Sequence, residues 1–203
     1  PDNMTANYVF SFTVDAAPTV SSTTPSNSAT DVGGATNITI NFSESVNASG
    51  ASFDITCAAS GAHTFSTSSS PSATFTLDPT ADFTAGESCT VTVFAAGVTD
   101  ADTFDPPDNM LSNYSFSFTI DVAPSVSSVT PLDTATGVAT NANLTVTFSE
   151  PVTITNSSVT ISCANTGAHT VAVSGGPTTW TVDPTSDFGN GELCTATVLA
   201  AGV

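Results

Sequence analysis

The chain writes one unit of about a hundred residues almost twice, and a repeat of that length is an array of whole domains. Residues 1–25 read PDNMTANYVFSFTVDAAPTVSSTTP, and residues 107–131 read PDNMLSNYSFSFTIDVAPSVSSVTP. FSE returns at Phe42 and Phe148, and CAASGAHT at Cys57 matches CANTGAHT at Cys163, in both cases 106 positions on. DPT returns at Asp78 and Asp183 and AAGV at Ala95 and Ala200, now 105 positions on. Val203 sits at the phase of Val98, so residues 99–106 have no second copy. The stretch therefore reads as a window on a longer array, cut out of register with its units.

Within a unit the segments alternate apolar and polar with period two, separated by turn residues, which is the pattern of half-buried antiparallel strands. Tyr114, Phe116, Phe118 and Ile120 face one way, while Ser115, Ser117 and Thr119 face the other. Tyr8, Phe10, Phe12 and Val14 copy that strand near the start. Further strands are expected at 19–24, 37–42, 52–58, 62–67, 73–77 and 88–94. About seven short strands with regular turn signals predict an all-β Ig-like antiparallel sandwich, repeated in tandem. The expected division is residues 1–16 as the last strand of a preceding or neighbouring repeat, 17–122 as a complete domain, and 123–203 as a domain without its last strand. Short Ala-Pro links, AAP and VAP, join the units, and proline limits their swing.

The composition excludes several functions. There is no Lys or Arg against 18 acidic residues, a net charge of −18. Binding to nucleic acid or to an anionic membrane surface runs on cationic side chains, so both are excluded as partners. Without Lys or Gln, neither a Lys–Asn isopeptide nor a Thr–Gln ester bond can form, which leaves the disulfide as the internal crosslink. Four Cys allow three pairings. The repeat favours Cys57–Cys89 and Cys163–Cys194, spaced 32 and 31 residues apart. Cys57 ends the third strand and Cys89 begins the sixth, which are neighbours in an Ig-like sandwich, so the bridge is expected within one sheet. Each closed loop contributes about 3–4 kcal/mol by the chain-entropy estimate. Persistent disulfides point to an extracellular or cell-surface location.

One frame now recurs on the page: Pro18/Pro25, Phe42-Ser43-Glu44 with Val46, Gly97-Val98-Thr99-Asp100, and Phe116-Ser117-Phe118-Thr119. The second unit repeats it with Pro124/Pro131, Phe148-Ser149-Glu150 with Val152, and Gly202-Val203. In these residues the chain resembles the bacterial Ig-like repeats of S-layer proteins and giant surface or secreted proteins. That resemblance implies stalks, spacers, walls or adhesins. The Cys pair and the long acidic stretch TDADTFDPPDN depart from the usual pattern.

Candidate chemistry is sparse. His63 and His169 occupy matching GAHT turns and lie in no ligand cluster or triad, so no enzyme activity is expected. Asp100, Asp102, Asp105 and Asp108 fall within nine residues, and oxygen-rich loops suit Ca²⁺. Strand ends bring Glu44 and Asp100 to one pole of the sandwich, where Asp15 arrives on the incoming link. The expected ligands are Asp15, Glu44, Asp100 and Asp102 at the first junction, with Asp121 and Glu150 at an incomplete second one. Sequons at Asn37, Asn41 and Asn143 have outward parity and are glycosylation candidates.

The sequence predicts a structural segment of an extracellular filament, stalk or surface layer, whose partners are further copies of itself head to tail. Tyr8, Phe10, Phe12 and Val14 would form the strand between units. That strand is expected to follow covalently in a continuing chain, with insertion from a neighbouring subunit as the other arrangement. The alternative is an adhesin whose exposed loops bind a glycan or receptor, for which Phe104 is the one aromatic placed in a loop. An enzymatic domain elsewhere in a parent protein is a third possibility.

Overall fold

The computed structural model describes residues 3–102 and 109–203, and it divides into two compact units, Pro1–Val122 and Ala123–Val203. Phe104, Asp105 and Asp108 lie outside the described residues.

Unit 1 contains β1 (Val20–Thr24), β2 (Ala29–Val32), β3 (Ile38–Asn47), β4 (Phe53–Cys57), β5 (Gly61–Ala62), β6 (Phe65–Thr67), β7 (Ser72–Pro79), β8 (Ser88–Val93), β9 (Thr99–Asp100) and β10 (Tyr114–Ile120). One sheet runs β1-β3-β7-β6 with β9 also on β3, and the other runs β2-β10-β8-β4-β5. The core draws side chains from both sheets. Phe75 of β7 meets Phe53 of β4 at 5.5 Å between ring centroids, and Phe42 of β3 edge-on at 5.9 Å. Ile38, Ile40, Ile55, Leu77, Val91 and Val93 are fully buried around them. Burying one such side chain contributes roughly 1.5–3 kcal/mol, and the period-two alternation puts them on the inner faces.

Unit 2 contains β11 (Val126–Thr130), β12 (Leu144–Phe148), β13 (Val159–Cys163), β14 (Gly167–His169), β15 (Val171–Gly175), β16 (Thr179–Pro184) and β17 (Cys194–Val198). Its sheets run β11-β12-β16-β15 and β14-β13-β17. Val146, Phe148, Ile161 and Val182 form its core, with Trp180 packed beside them.

Three features differ from the sequence expectation. The strand expected at 62–67 is two: β5 lies in one sheet and β6 in the other, so the chain crosses between layers at His63. Such corners are where a sandwich passes a strand from one sheet to the next. Two short strands went unforeseen. β2 pairs in parallel with β10, and β9 pairs with the far end of β3. Lastly, residues 3–19 carry no strand, because a strand needs a ladder partner and this segment has none among the described residues of its unit. The segment nevertheless keeps strand-like alternation. The Tyr8–Phe10 and Phe10–Phe12 centroids lie 6.3 and 6.2 Å apart, against 6.1 Å for Tyr114–Phe116 in β10.

The recurring motifs have structural jobs. Ser43 of FSE accepts the Thr19 N–H on its hydroxyl at 3.0 Å, and Ser149 takes the Ser125 N–H at 2.9 Å, so the entry to β1 is pinned to β3 and the entry to β11 to the end of β12. The Gly of AAGV closes a single 3-10 turn, Ala95–Gly97 or Ala200–Gly202. Ser52 donates its hydroxyl to the Gly97 carbonyl at 2.7 Å, and Ser158 does the same for Gly202. A Cβ on Gly97 would lie 2.9 Å from the Ser52 hydroxyl and 3.1 Å from its Cα. Glycine is required there by close approach rather than by backbone angle.

Candidate functional site

The disulfides Cys57–Cys89 and Cys163–Cys194 join directly opposed residues of adjacent strands, β4 with β8 and β13 with β17. They lie within one sheet of each sandwich. Beside each bridge sits a carboxylate that the sequence reading did not single out. Glu87 accepts N–H bonds from Ala59 at 3.1 Å, Ser60 at 2.9 Å and Thr84 at 2.6 Å, together with the Ser60 hydroxyl at 2.8 Å. His63 Nε2 lies 2.7 Å from that same hydroxyl, and its ring packs on Phe83 at 4.8 Å. Burial works against the Glu87 charge, but the bonds from Ser60, Thr84 and Ala59 outweigh it and hold the carboxyl down at about 2. Unit 2 repeats the arrangement. Glu192 accepts from Thr166, Asn165 and Gly189, and the Thr166 bonds lead in lowering it to about 2. His169 lies 2.8 Å from the Thr166 hydroxyl, over Phe188. In this chain of bonds the hydroxyl serves a carboxylate clamped by backbone amides. It braces the turn after the disulfide.

The carboxylates of Asp15, Asp100 and Asp102 converge, with ligand atoms all within 4.8 Å of one another. β9 carries Asp100 to this place by pairing it with Val46. The pairing of β3 with β7 shifts register between Asn41 and Val46, a stretch that contains Glu44. Asp100 is 8% exposed, and its Oδ1 accepts the Asp102 N–H at 3.0 Å. Burial raises the Glu44 carboxyl above its ordinary value, assisted by the charges of Asp100 and Asp15, a hydrogen bond to Asp100 and the charge of Asp102. Asp15 Oδ2 is buried and has no hydrogen-bond partner. No Lys or Arg exists anywhere in the chain to neutralise the group. An orphaned acceptor in an all-oxygen donor set fits a hard cation. Asp121 is exposed and closes unit 1 with its N–H on Val32, while Glu150 is half-buried in unit 2. Neither joins a ligand group among the described residues.

Of the sequons, Asn37 and Asn143 are exposed just before β3 and β12. Asn41 is engaged on both sides: its amide donates to the Ser22 hydroxyl at 3.0 Å, and its Oδ1 accepts from Thr74 at 2.8 Å. A groove of about 240 Å³ beside Pro18, Val20, Met110 and Tyr114 has no His, Cys or carboxylate in its lining.

The second sheet of unit 2 has three strands among the described residues. β8 has β10 on one edge and β4 on the other, whereas β17 pairs only with β13 among the described residues. Cys89, Val91 and Val93 are fully buried, but their counterparts Cys194, Ala196 and Val198 are not. Val32 is 8% exposed and Val138 42%. The apolar side chains of residues 3–15 are equally bare: Tyr8 79%, Phe10 72%, Phe12 77% and Val14 74% exposed.

A family model described as bacterial Ig-like domain matches the chain twice, over residues 14–120 and 121–203. No curated protein matches. Among solved structures, the N-terminal part of the bacterial S-layer protein SbsC is 16% identical, aligned over 93% of this chain and 42% of that one, with a TM-score of 0.41. A structure of the S-layer protein rSbsC is also 16% identical, over 90% of this chain and 24% of that one, with a TM-score of 0.37. The chain thus spans less than half the length of either.

Proposed function

The chain belongs to the bacterial Ig-like domain family, and from that premise we propose that it is a stretch of an extracellular filament, stalk or surface layer built from sandwiches joined head to tail. The observation that carries this reading is what recurs. Both units place a disulfide on the same cross-strand pair, brace it with the same Glu–hydroxyl–His chain and close it with the same Ser–Gly contact. Catalysts and receptors concentrate their chemistry in one place. Here the repeated chemistry is what holds each sandwich shut. Disulfides in both units suit an oxidising exterior, and the charge of −18 suits a hydrated surface.

A divalent cation, calcium by its preference for oxygen ligands and flexible geometry, belongs at Asp15, Glu44, Asp100 and Asp102 in this reading. The support is the unpartnered Asp15 oxygen beside the buried Asp100. Asp15 lies on the segment leading into β1, so a cation there would clamp that segment to its sandwich.

Immunogold labelling of intact source cells, and of thin sections through them, tests the proposal, using antibodies to the exposed loops. Label along surface fibres or a continuous envelope layer is expected. Label confined to the cytoplasm sinks it, and selective capture of one glycan by a chain that stays monomeric favours the adhesin instead.

A further inference from the structure

An asparagine two residues before Ser or Thr is an acceptor for N-linked sugar, and the chain has seven such sequons. A chain so rich in Asn, Ser and Thr produces them by chance, so the motif alone selects none. The fold does select. We propose that Asn37 and Asn143 carry N-linked glycans, one on each unit, and that the sequons bonded into the sandwiches carry none.

Four of the seven have their carboxamides built into the structure. Asn41 is held between Ser22 and Thr74. Asn47 donates its amide to the Asp100 carbonyl at 2.9 Å. Asn113 accepts the Ala95 N–H at 2.9 Å, and Asn156 accepts the Val173 N–H at 2.8 Å. A sugar on any of these side chains would crowd or break those bonds. Asn37 and Asn143 are exposed, and their carboxamides make no hydrogen bond among the described residues. Asn3 is exposed as well, but it lies ahead of the first strand, and its copy Asn109 is followed by Met110 and Leu111, which is no sequon.

The repeat shows which asparagine is kept. At the offset of 106 positions, Asn41 and Asn47 correspond to Thr147 and Thr153, and Asn156 corresponds to Gly50. Asn113 corresponds to Asn7, whose third residue is Val9. Asn37-Ile38-Thr39 alone returns as a sequon, Asn143-Leu144-Thr145. Three asparagines that the fold uses are thus replaced in the other unit, while the one it does not use is retained. Backbone strain gives no reason for this. Asn is favoured at positive φ, but the non-glycine residues described there are Ser28, Asp31 and Thr134. The use of this side chain lies outside the fold.

Its placement suits a sugar. Each Asn is the last residue before a long strand, β3 or β12, and stands two residues past a turn. Ile38 is fully buried, so the period of two sets Asn37 and Thr39 together on the outer face. The acceptor amide and the hydroxyl that completes the sequon are presented side by side. Thr39 belongs to a rank of threonines, Thr24, Thr39 and Thr76, and Thr145 to its copy, Thr130, Thr145 and Thr181. These short side chains leave room above the sheet for a sugar ring and offer it hydroxyl partners. The acid cluster lies at the far end of β3, where Val46 pairs with Asp100, so a glycan at Asn37 leaves that site clear. The donor is a glycosyl phosphate brought by a transferase. The Asn Nδ2 attacks the anomeric carbon, and a C–N bond forms as the C–O bond to phosphate breaks. The phosphate leaves with the electron pair, and the amide gives up one proton.

This inference rests on the export that the proposed function assumes. Intact mass and peptide mapping of the full chain from its source cells test it. Saccharide mass is expected on the peptides containing Asn37 and Asn143 and on none containing Asn41, Asn47, Asn113 or Asn156. Asn37→Gln, made in the same cells, touches no hydrogen bond and should remove the mass from that site while leaving Asn143 modified. Thr39→Ala should do the same, and Thr39→Ser should restore the sugar. A mass equal to that of the bare sequence overturns the proposal. So does sugar spread over the bonded sequons, sugar on Ser or Thr alone, or sugar at Asn37 that survives Thr39→Ala. An unmodified chain that immunogold finds on the cell surface overturns the glycans and leaves the proposed function standing. An unmodified chain confined to the cytoplasm overturns both.

Discussion

At Glu87 and Glu44 the same side chain meets opposite fates. Glu87 is clamped by amides and a hydroxyl, and its folded pKa of about 2 lies below the ordinary 4.5. Its stabilisation is complete above pH 4.5 and is lost as pH falls from there towards 2. Glu87→Gln should therefore flatten the urea-midpoint profile in that window, and an unchanged profile would show the clamp to be inert. Glu44 is raised by burial and by the acids around it, so its contribution runs the other way. Stability falls as pH rises past 4.5, because the unfolded chain releases that proton first. Glu44→Gln should raise Tm at pH 7 in chelator, millimolar calcium should raise that of the parent chain, and Asp100→Asn should abolish the calcium effect. A parent Tm indifferent to chelator ends the cation proposal. The acidic cluster was legible because strand ends in a sandwich collect at its poles. Glu87 and Glu192 were not, since their partners are backbone amides of a turn. Their one trace was a Glu two residues before the second Cys in both units.

Among the elements, the long alternating runs at β3, β4, β7, β8 and β10 were readable from their period, and the short ones were not. β2 has four residues, with Ser28 just before it and Asp31 within it at positive φ, and no apolar alternation marks it. Its place comes from lying parallel to β10, nearly ninety residues away, which no local pattern encodes. β9 is two residues long for the same kind of reason. The 62–67 run alternates throughout, so nothing in its period announced the change of sheet at His63. The AAGV turn was conspicuous as a motif, but its purpose appears only when Gly97 is seen against Ser52. Gly97→Ala forces a methyl to 2.9 Å from the Ser52 hydroxyl and 3.1 Å from its Cα and should cost about 1–3 kcal/mol, as overpacking does. Chemical denaturation followed by circular dichroism checks this, and a loss under 0.5 kcal/mol would mean that the two turns move apart freely.

On the scale of the whole molecule, two sandwiches in one chain make their covalent closure decide how far the chain extends under force. Each disulfide fences off the stretch between its cysteines, 32 residues apart in unit 1 and 31 in unit 2. Pulled from its ends, a domain that gives way can spool out only what lies outside the fence. At about 3.4 Å per extended residue, some 110 Å of slack stays locked in each unit. Single-molecule stretching should show unfolding steps that lengthen by about that amount once reductant is added, and identical steps before and after would mean that the bridges do not limit extension. Strung end to end, such domains behave as a tether with a hard stop: a yielding link gives out a short length, then holds, and passes the tension to its neighbours before the line goes slack.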